Sequence, residues 1–287
     1  MSKVWLITGA GSGFGIALAR EAVTAGDVVI AAVRHPGSMD ALVAAYPDQV
    51  DVVALDVTDL ARVDDVVADV IARHGRIDVL VNNAGRTHVG ALEETSDAEL
   101  RSLFDVHVFG PAALIRAVLP HMRERHCGAI VQMSSMGGQM SGPGFGAYSA
   151  TKFALEGMSE ALHTEVATLG ITILVVEPGS FRTRLFTAGT ASDEIADYAA
   201  TVGATRTMIQ TSDGEQPGDP AKAASAIMAA LAAEVTPLHL PLGADAVEAV
   251  LAHLNDVGEQ VRAWESVARE TAFVVPGHLA ASAAPRS

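Results

Sequence analysis

Residues 7–15, ITGAGSGFG, leave the apolar run VWLIT and enter an amphipathic segment. The glycines at 9, 11, 13 and 15 do not fit G-x-G-x-x-G in either register, because Phe14 and Ile16 stand where the third glycine belongs. The spacing that fits is T-G-x-x-x-G-x-G, carried by Thr8, Gly9, Gly13 and Gly15. Both spacings do the same physical work. Residues without a Cβ let the chain turn tightly out of a strand, and the free N–H groups of the following helix meet a pyrophosphate. A glycine-rich turn alone is a weak signal, but this one directly follows the first strand.

Outward from that turn, short apolar runs alternate with longer amphipathic ones. VWLIT is followed by a helical pattern over 14–25, VVIAAV by 40–46, VVAL by 59–74, IDVLVN by 97–125 and AIVQMS by 148–169; ITILVVEP comes last. Strands this uniformly apolar, separated by helices, read as a parallel sheet covered on both faces. The expectation is a single doubly wound α/β domain of about seven strands, Rossmann-type, over residues 1–278. After Gly179 the rhythm loosens. Residues 182–220, with the turn-rich SDGEQPGDP, read as a substrate lid, followed by a helix over 219–233, a short strand in PLHLPLG and a helix from 244 to about 269. The tail LAASAAPRS, 279–287, reads as poorly ordered.

With 287 residues, 49% of them apolar, and a positive mean hydropathy, the chain can bury one large core. Its net charge of −15 and scattered basic residues exclude a nucleic-acid surface, which needs clustered Lys and Arg. The single cysteine, Cys127, forms no internal disulfide, and no Cys/His spacing suits a metal, so no metal and a reducing cytoplasm are expected. MSKVWLITGAG runs into a strand without a basic region and long apolar core, so no secretory signal is expected. The longest charge-free apolar stretch, 223–233, is alanine-rich and too short for a bilayer, so no membrane partner is expected either.

In dinucleotide folds an Asp or Glu at the end of the second strand holds the adenosine ribose. Here that strand reads VVIAAVRHP, with Val33 and then Arg34 where the carboxylate would be. The change removes a charge that would repel a 2′-phosphate and supplies a guanidinium to bind it. NADP(H) is therefore expected over NAD(H).

At the other end, GAYSATKFALEG starts a helix with Tyr148 and Lys152 one turn apart on the same face. A free tyrosine, with a pKa near ~10, is a poor acid/base at neutral pH; an adjacent ammonium and an oxidised nicotinamide both favour its phenolate. Thirteen residues upstream, AIVQMSSMGG ends a strand at Ser134 and Ser135.

With LVNNAG after the fourth strand and VVEPGSFRT after the sixth, the sequence closely resembles the short-chain dehydrogenase/reductase superfamily, in unbroken order from residue 3 to about 183. The VRHP, SMGGQMSGPGF and EPGSFRT segments look most like its retinol- and steroid-dehydrogenase-like branch. The resemblance implies that Thr8, Gly9, Gly13, Phe14 and Gly15 form the cofactor loop. It places Asp56 and Val57 at the adenine, and Asn82, Asn83, Ala84 and Gly85 in the NNAG turn. Pro178, Gly179 and Thr183 match the loop that positions the carboxamide. Ser135 matches the serine that binds the substrate oxygen, Tyr148 the general acid/base, and Lys152 the lysine that holds the ribose and lowers the tyrosine pKa.

One position departs from that pattern. Where the superfamily usually has the asparagine of a catalytic tetrad, FDVHVFG carries His107, on the same apolar stripe as Leu100, Leu103, Leu114 and Val118. In similar enzymes the backbone carbonyl there holds a water of the proton relay. Pro111, four residues on, has no N–H to return to that carbonyl and disfavours a straight helix. The expectation is a relay water kept by the His107 backbone, with the imidazole as a second partner.

His88, Gln139, Met140, Phe145, Phe186 and Met208 are the candidate pocket residues; several are apolar and adaptable, favouring a lipophilic ketone or aldehyde and its alcohol. The alternative is a catalytically weakened NADP-binding regulator or scaffold. Resemblance also implies a homodimer or homotetramer, paired through the helices over 97–125 and 148–169.

Overall fold

The computed structural model of the protein describes residues 2–212 and 214–273. Strand β1 (Val4–Thr8) runs into α1 (Gly13–Thr24), followed by β2 (Val28–Val33), α2 (Asp40–Ala45), β3 (Val50–Ala54), α3 (Leu60–His74) and β4 (Val79–Asn82). Then come a two-residue strand β5 (His88–Val89), α4 (Asp97–Phe104), α5 (Gly110–Arg125), β6 (Gly128–Met133), α6 (Gly146–Val166) and β7 (Ile171–Pro178). The chain continues through β8 (Thr190–Ala191), α7 (Val202–Ser212), α8 (Pro220–Ala232), β9 (His239–Leu242), α9 (Ala244–Ala263) and α10 (Glu265–Arg269). Contacts group Met1–Val250 into one compact unit that holds the whole sheet, and a second unit, Leu251–Ser287, begins inside α9. The segment 279–287 lies outside the described residues.

Seven strands form one sheet in the order β3-β2-β1-β4-β6-β7-β9, every pair parallel. This is the doubly wound sheet that the alternation of runs predicts. Each residue of β1 is buried, and alternate side chains divide between two cores. Val4 and Leu6 join α3 and α5 residues such as Val66, Val70 and Leu114 on one face, while Trp5 and Ile7 join Leu18, Val23 and Ile227 from α1 and α8 on the other. Helix ends follow local chemistry. Asp59 caps α3 by accepting from the Arg62 N–H, and Ser96 and Glu99 close a reciprocal capping box on α4.

The chain builds outward from β1 to β3 and then crosses back to β4, so β1 and β4 part company at their carboxyl ends and leave a crevice. Thr8 ties its two walls together. Its Oγ1 donates to the Val81 carbonyl (3.2 Å) and accepts from the N–H groups of Asn83 (2.9 Å) and Ala84 (3.0 Å). The Asn83 amide returns the tie by donating to the carbonyls of Thr8 (2.8 Å) and Gly9 (3.1 Å).

Two helical predictions are interrupted. Between α4 and α5 the chain makes a π-turn over Asp105–Phe109, in which the Gly110 N–H donates to the Asp105 carbonyl five residues back. Pro111 is the cause: it cannot donate to residue 107, so the ladder widens by one residue there. The predicted helix from 244 to about 269 breaks at Trp264 into α9 and α10. The Asp97–Arg125 run is long and apolar enough by length and composition to cross a membrane, but Leu103, Leu114, Val118 and Met122 on it are core residues. Strands β5 and β8, a parallel pair of two residues each, escape sequence periodicity because alternation needs more positions to register.

Replacing Thr8 by Val keeps the shape but strips the Asn83 and Ala84 N–H groups of their acceptor. We expect Thr8→Val to lose about 1–3 kcal/mol of stability, measured by urea denaturation, with the far-UV spectrum unchanged.

Candidate active site

The floor of the crevice is the glycine turn. Gly9 takes φ +62°, a left-handed conformation that glycine adopts without strain. A Cβ on Gly15 would collide with the Gly9 carbonyl, so the first turn of α1 lies directly on the loop. Ser12, the residue before α1, makes no side-chain cap, which leaves the N–H groups of that turn for a ligand. From the opposite wall Thr183 reaches Gly13, with a Cβ there standing 3.2 Å from Thr183 Cβ, and Phe14 packs on Phe181 at 5.1 Å between ring centroids. Gly13, Arg182, Thr183, Arg184 and Thr187 line a cleft of ≈ 280 Å³. Gly179, after Pro178, is held against Asp245, whose carboxylate accepts the Ser180 N–H at 2.7 Å.

Arg34 lies exposed just beyond β2. Asp56, exposed after β3, accepts from the Thr58 N–H (3.0 Å) and hydroxyl (2.8 Å); those bonds, with the nearby Arg34 and Arg86 charges, hold its carboxyl below the usual carboxylate range. Val57 beside it is buried, and its carbonyl presses on Gly110 at the end of the π-turn. Ser38, which sequence reading passed over, sits against Gly11 of the loop.

Tyr148 and Lys152 share one face of α6, and the Lys152 ammonium stands 5.6 Å from the Tyr148 ring centroid. Ser135 ends the adjoining segment, with its Oγ accepting the Gly137 N–H at 3.0 Å. A Cβ on Gly137 would stand 3.4 Å from both Ser135 Oγ and Tyr148 Cε1, so hydroxyl and phenol are neighbours across that glycine. Burial pushes the Tyr148 phenol up to about 12, against the opposing pull of the Ser135 hydroxyl. Burial pulls Lys152 down to about 8, and its Nζ donates to the Met133 carbonyl at 2.9 Å.

His107 is 1% exposed and lies inside the π-turn. The Arg86 N–H donates to its Nε2 (3.2 Å), so that nitrogen carries a lone pair and the proton of the neutral ring sits on Nδ1. Nδ1 then donates to Thr151 Oγ1 (2.8 Å), and the Thr151 hydroxyl donates to the Tyr148 carbonyl (2.7 Å). Burial, with the charges of Lys152 and Arg86, keeps the ring well below its ordinary pKa. The expectation that the imidazole partners a relay water needs correction: both nitrogens are spent, and the ring instead stands edge-on to Tyr148 at 5.7 Å.

The candidate pocket residues divide. Phe145 stands against Tyr148 (6.4 Å between centroids) and packs with Val89, Ala91 and Val202; Met140 and Phe186 are half-buried, and Met208 is exposed on α7. His88 and Gln139 do not present their polar ends to a pocket. The His88 ring bonds Thr190 and Ser192 Oγ, both at 2.9 Å, locking β5 to β8, and Gln139 Nε2 donates to Glu177 at 3.0 Å. An ion pair that sequence spacing could not reveal, Arg206–Glu94 at 2.9 Å, ties α7 to the loop after β5. A second hidden cluster lies one turn beyond Lys152, where Glu156, Glu177 and His239 bring ligand-type atoms within 4.8 Å of one another. Burial and the neighbouring Glu177 raise the Glu156 carboxyl to about 7, partly opposed by Ser134 and His239.

Residues 3–194 match the short chain dehydrogenase family. The chain is 58% identical to a short-chain dehydrogenase from Streptomyces avermitilis of known crystal structure, with a TM-score of 0.90 over 95% of this chain and 100% of that one. A short chain dehydrogenase/reductase from Burkholderia phymatum, solved in complex with NAD, is 25% identical with a TM-score of 0.81, covering 90% and 95% of the two chains. Among curated proteins, the oxidoreductase BOA17 of Botryotinia fuckeliana is 38% identical over 250 residues, 86% of this chain and 91% of that one.

Because the folded Glu156 holds its proton up to about 7 and an unfolded glutamic acid only to about 4.5, the folded state binds the proton more tightly. Stability from this group is present in full below the unfolded value and is lost as pH rises through the folded one. The stability of Glu156→Gln relative to the parent should therefore improve between pH 5 and pH 8, by on the order of 2 kcal/mol, in denaturation series at the two pH values.

Proposed function

This chain belongs to the short-chain dehydrogenase family and is an oxidoreductase, and we propose that it interconverts a ketone or aldehyde and its alcohol with NADP(H). The observation that carries the reading is the convergence of Ser135, Tyr148 and Lys152 beside a crevice floored by an uncapped glycine turn. The residues fit a dinucleotide. Backbone N–H groups at Gly13–Gly15 suit the pyrophosphate, Asn83–Gly85 and Pro178–Thr183 wall the crevice, and the Lys152 ammonium, with one acceptor at Met133, has donors left for ribose hydroxyls. When bound, the nicotinamide supplies or takes up the hydride.

The rest falls to the protein. Tyr148, buried and protonated at neutral pH, donates its phenolic proton to the oxygen on which charge develops. Ser135 donates a hydrogen bond to that same oxygen and holds it beside the phenol. Arg34 supports NADP(H): it is exposed where the adenosine ribose would lie, with no carboxylate at the strand end to repel a 2′-phosphate. Phe145, standing against Tyr148, and the half-buried Met140 and Phe186 support a lipophilic substrate of the retinol or steroid kind. Phe109 and Phe153, 50% and 47% exposed on the helical layer over 97–166, support pairing of subunits through that layer. An exposed, unpaired Cys127 suits the cytoplasm.

Tyr148→Phe should remove nearly all turnover, at least about 10²-fold, while nucleotide binding by calorimetry stays within error. A panel of ketones and alcohols assayed with NADPH and NADH identifies the substrate class; no turnover of any carbonyl by the parent would favour a binding protein. Arg34→Ala should cut the preference for NADPH over NADH about tenfold or more, read as the ratio of kcat/KM values.

A further inference from the structure

One turn of α6 beyond Lys152, three elements bring ligand-type side chains to a single point. Glu156 comes from α6, Glu177 from β7 and His239 from the start of β9, and one atom of each lies within 4.8 Å of the others. Glu156 Oε2 stands 3.5 Å from His239 Nδ1, and Glu177 Oε1 stands 2.7 Å from the same nitrogen. Glu156 and Glu177 are 4% and 1% exposed, so neither carboxylate is served by solvent.

The cluster is short of positive charge and of donors. Among the described residues no lysine or arginine pairs with either carboxylate, and His239 is the one basic partner within ion-pair distance. Glu177 Oε1 accepts from Gln139 Nε2 at 3.0 Å, but neither oxygen of Glu156 has a hydrogen-bond partner. The buried hydroxyl of Ser134 has none either, and a Cβ on Gly138 would stand 2.6 Å from both Ser134 Oγ and Glu156 Oε1. Buried polar groups left in this way cost free energy, and one proton on the imidazole does not cover two carboxylates.

A divalent cation satisfies all of these groups at once. One imidazole nitrogen with two carboxylate oxygens is a donor set that suits zinc. A tetrahedral ion about 2.0–2.1 Å from each ligand sets those ligands roughly 3.3 Å apart, a spacing between the two separations found at His239 Nδ1. Ser134 Oγ or a water completes the four. The other ring nitrogen lies 3.6 Å from Glu160 Oε1. With Nδ1 on the ion, the ring proton sits on Nε2 and faces that carboxylate, the outer contact that orients a ligating histidine.

We propose that Glu156, Glu177 and His239 form a zinc site that clamps edge strand β9 to α6. The ion displaces the proton that Glu156 holds in the metal-free protein. Strand β9 is four residues long and pairs with β7 alone at the end of the sheet, so it has a hydrogen-bonded neighbour on one side only. It leads into Asp245, whose carboxylate accepts the Ser180 N–H beside the crevice, so the clamp steadies that wall too. The site does not depend on the reaction proposed above.

The test strips the full-length protein with chelator, titrates it with zinc by calorimetry, and follows thermal unfolding with and without the ion. The parent should take up one zinc per chain and gain about 5 °C in thermal midpoint at a hundredfold excess over Kd. Glu160→Gln alters a side chain that is 58% exposed and should leave the fold intact while weakening zinc binding about 10- to 100-fold. Glu156→Gln and His239→Ala should lose more affinity than that, and with it the gain in midpoint. Cys127→Ser, which removes the exposed thiol, should bind as the parent does. The site is overturned if the parent takes up no zinc, if the Glu156 and His239 variants bind it as the parent does, or if Cys127→Ser abolishes uptake. Stoichiometric uptake with no rise in midpoint would overturn the clamp.

Discussion

The hydroxyl of Thr8 bonds two backbone N–H groups at the one place in the sheet where neighbouring strands diverge, and the geometry of the site depends on that bond. It fixes Asn83 and Ala84 against the glycine turn. Gly85 and Arg86 follow, so the Arg86 N–H arrives at His107 Nε2 in the right place to set its tautomer. His107 passes the constraint to Thr151, and Thr151 to the backbone of Tyr148. Directed hydrogen bonds and the short backbone stretch from Ala84 to Arg86 thus link the glycine turn to the backbone of Tyr148. Each member is satisfied, which makes the line rigid.

Desolvation dominates the chemistry of the groups along it. Burial is the largest influence on Tyr148, Lys152, His107 and Glu156, with the charges of Lys152 and Arg86 adding to it at His107 and that of Glu177 at Glu156. These shifts oppose the charged form in every case. The segment around α7 is held differently: small apolar contacts around Val202 and the Arg206–Glu94 pair hold α7 to the loop after β5, leaving Met208 exposed.

Local signals were legible where a few adjacent residues carry them. The uniformly apolar runs determined a parallel sheet buried on both faces, and Thr8 to Gly15 determined the turn that opens α1, because strand burial and glycine geometry are properties of short stretches. Pro111 likewise announced an interrupted helix at His107, since a missing N–H acts on a carbonyl four residues away.

What tertiary structure alone decided is the direction in which side chains spend their hydrogen bonds. Nothing near position 107 indicates that Arg86 and Thr151 occupy both nitrogens of the ring, and nothing in Gln139 or His88 indicates that they turn to Glu177 and Ser192. Glu156, Glu177 and His239 are 21 and 62 residues apart in sequence and meet only because β7 lies between α6 and β9 in the folded chain. Strand order is set by which surfaces must be covered together, a property of the whole core, and so the partners of a buried polar group are settled only when the sheet has closed around it.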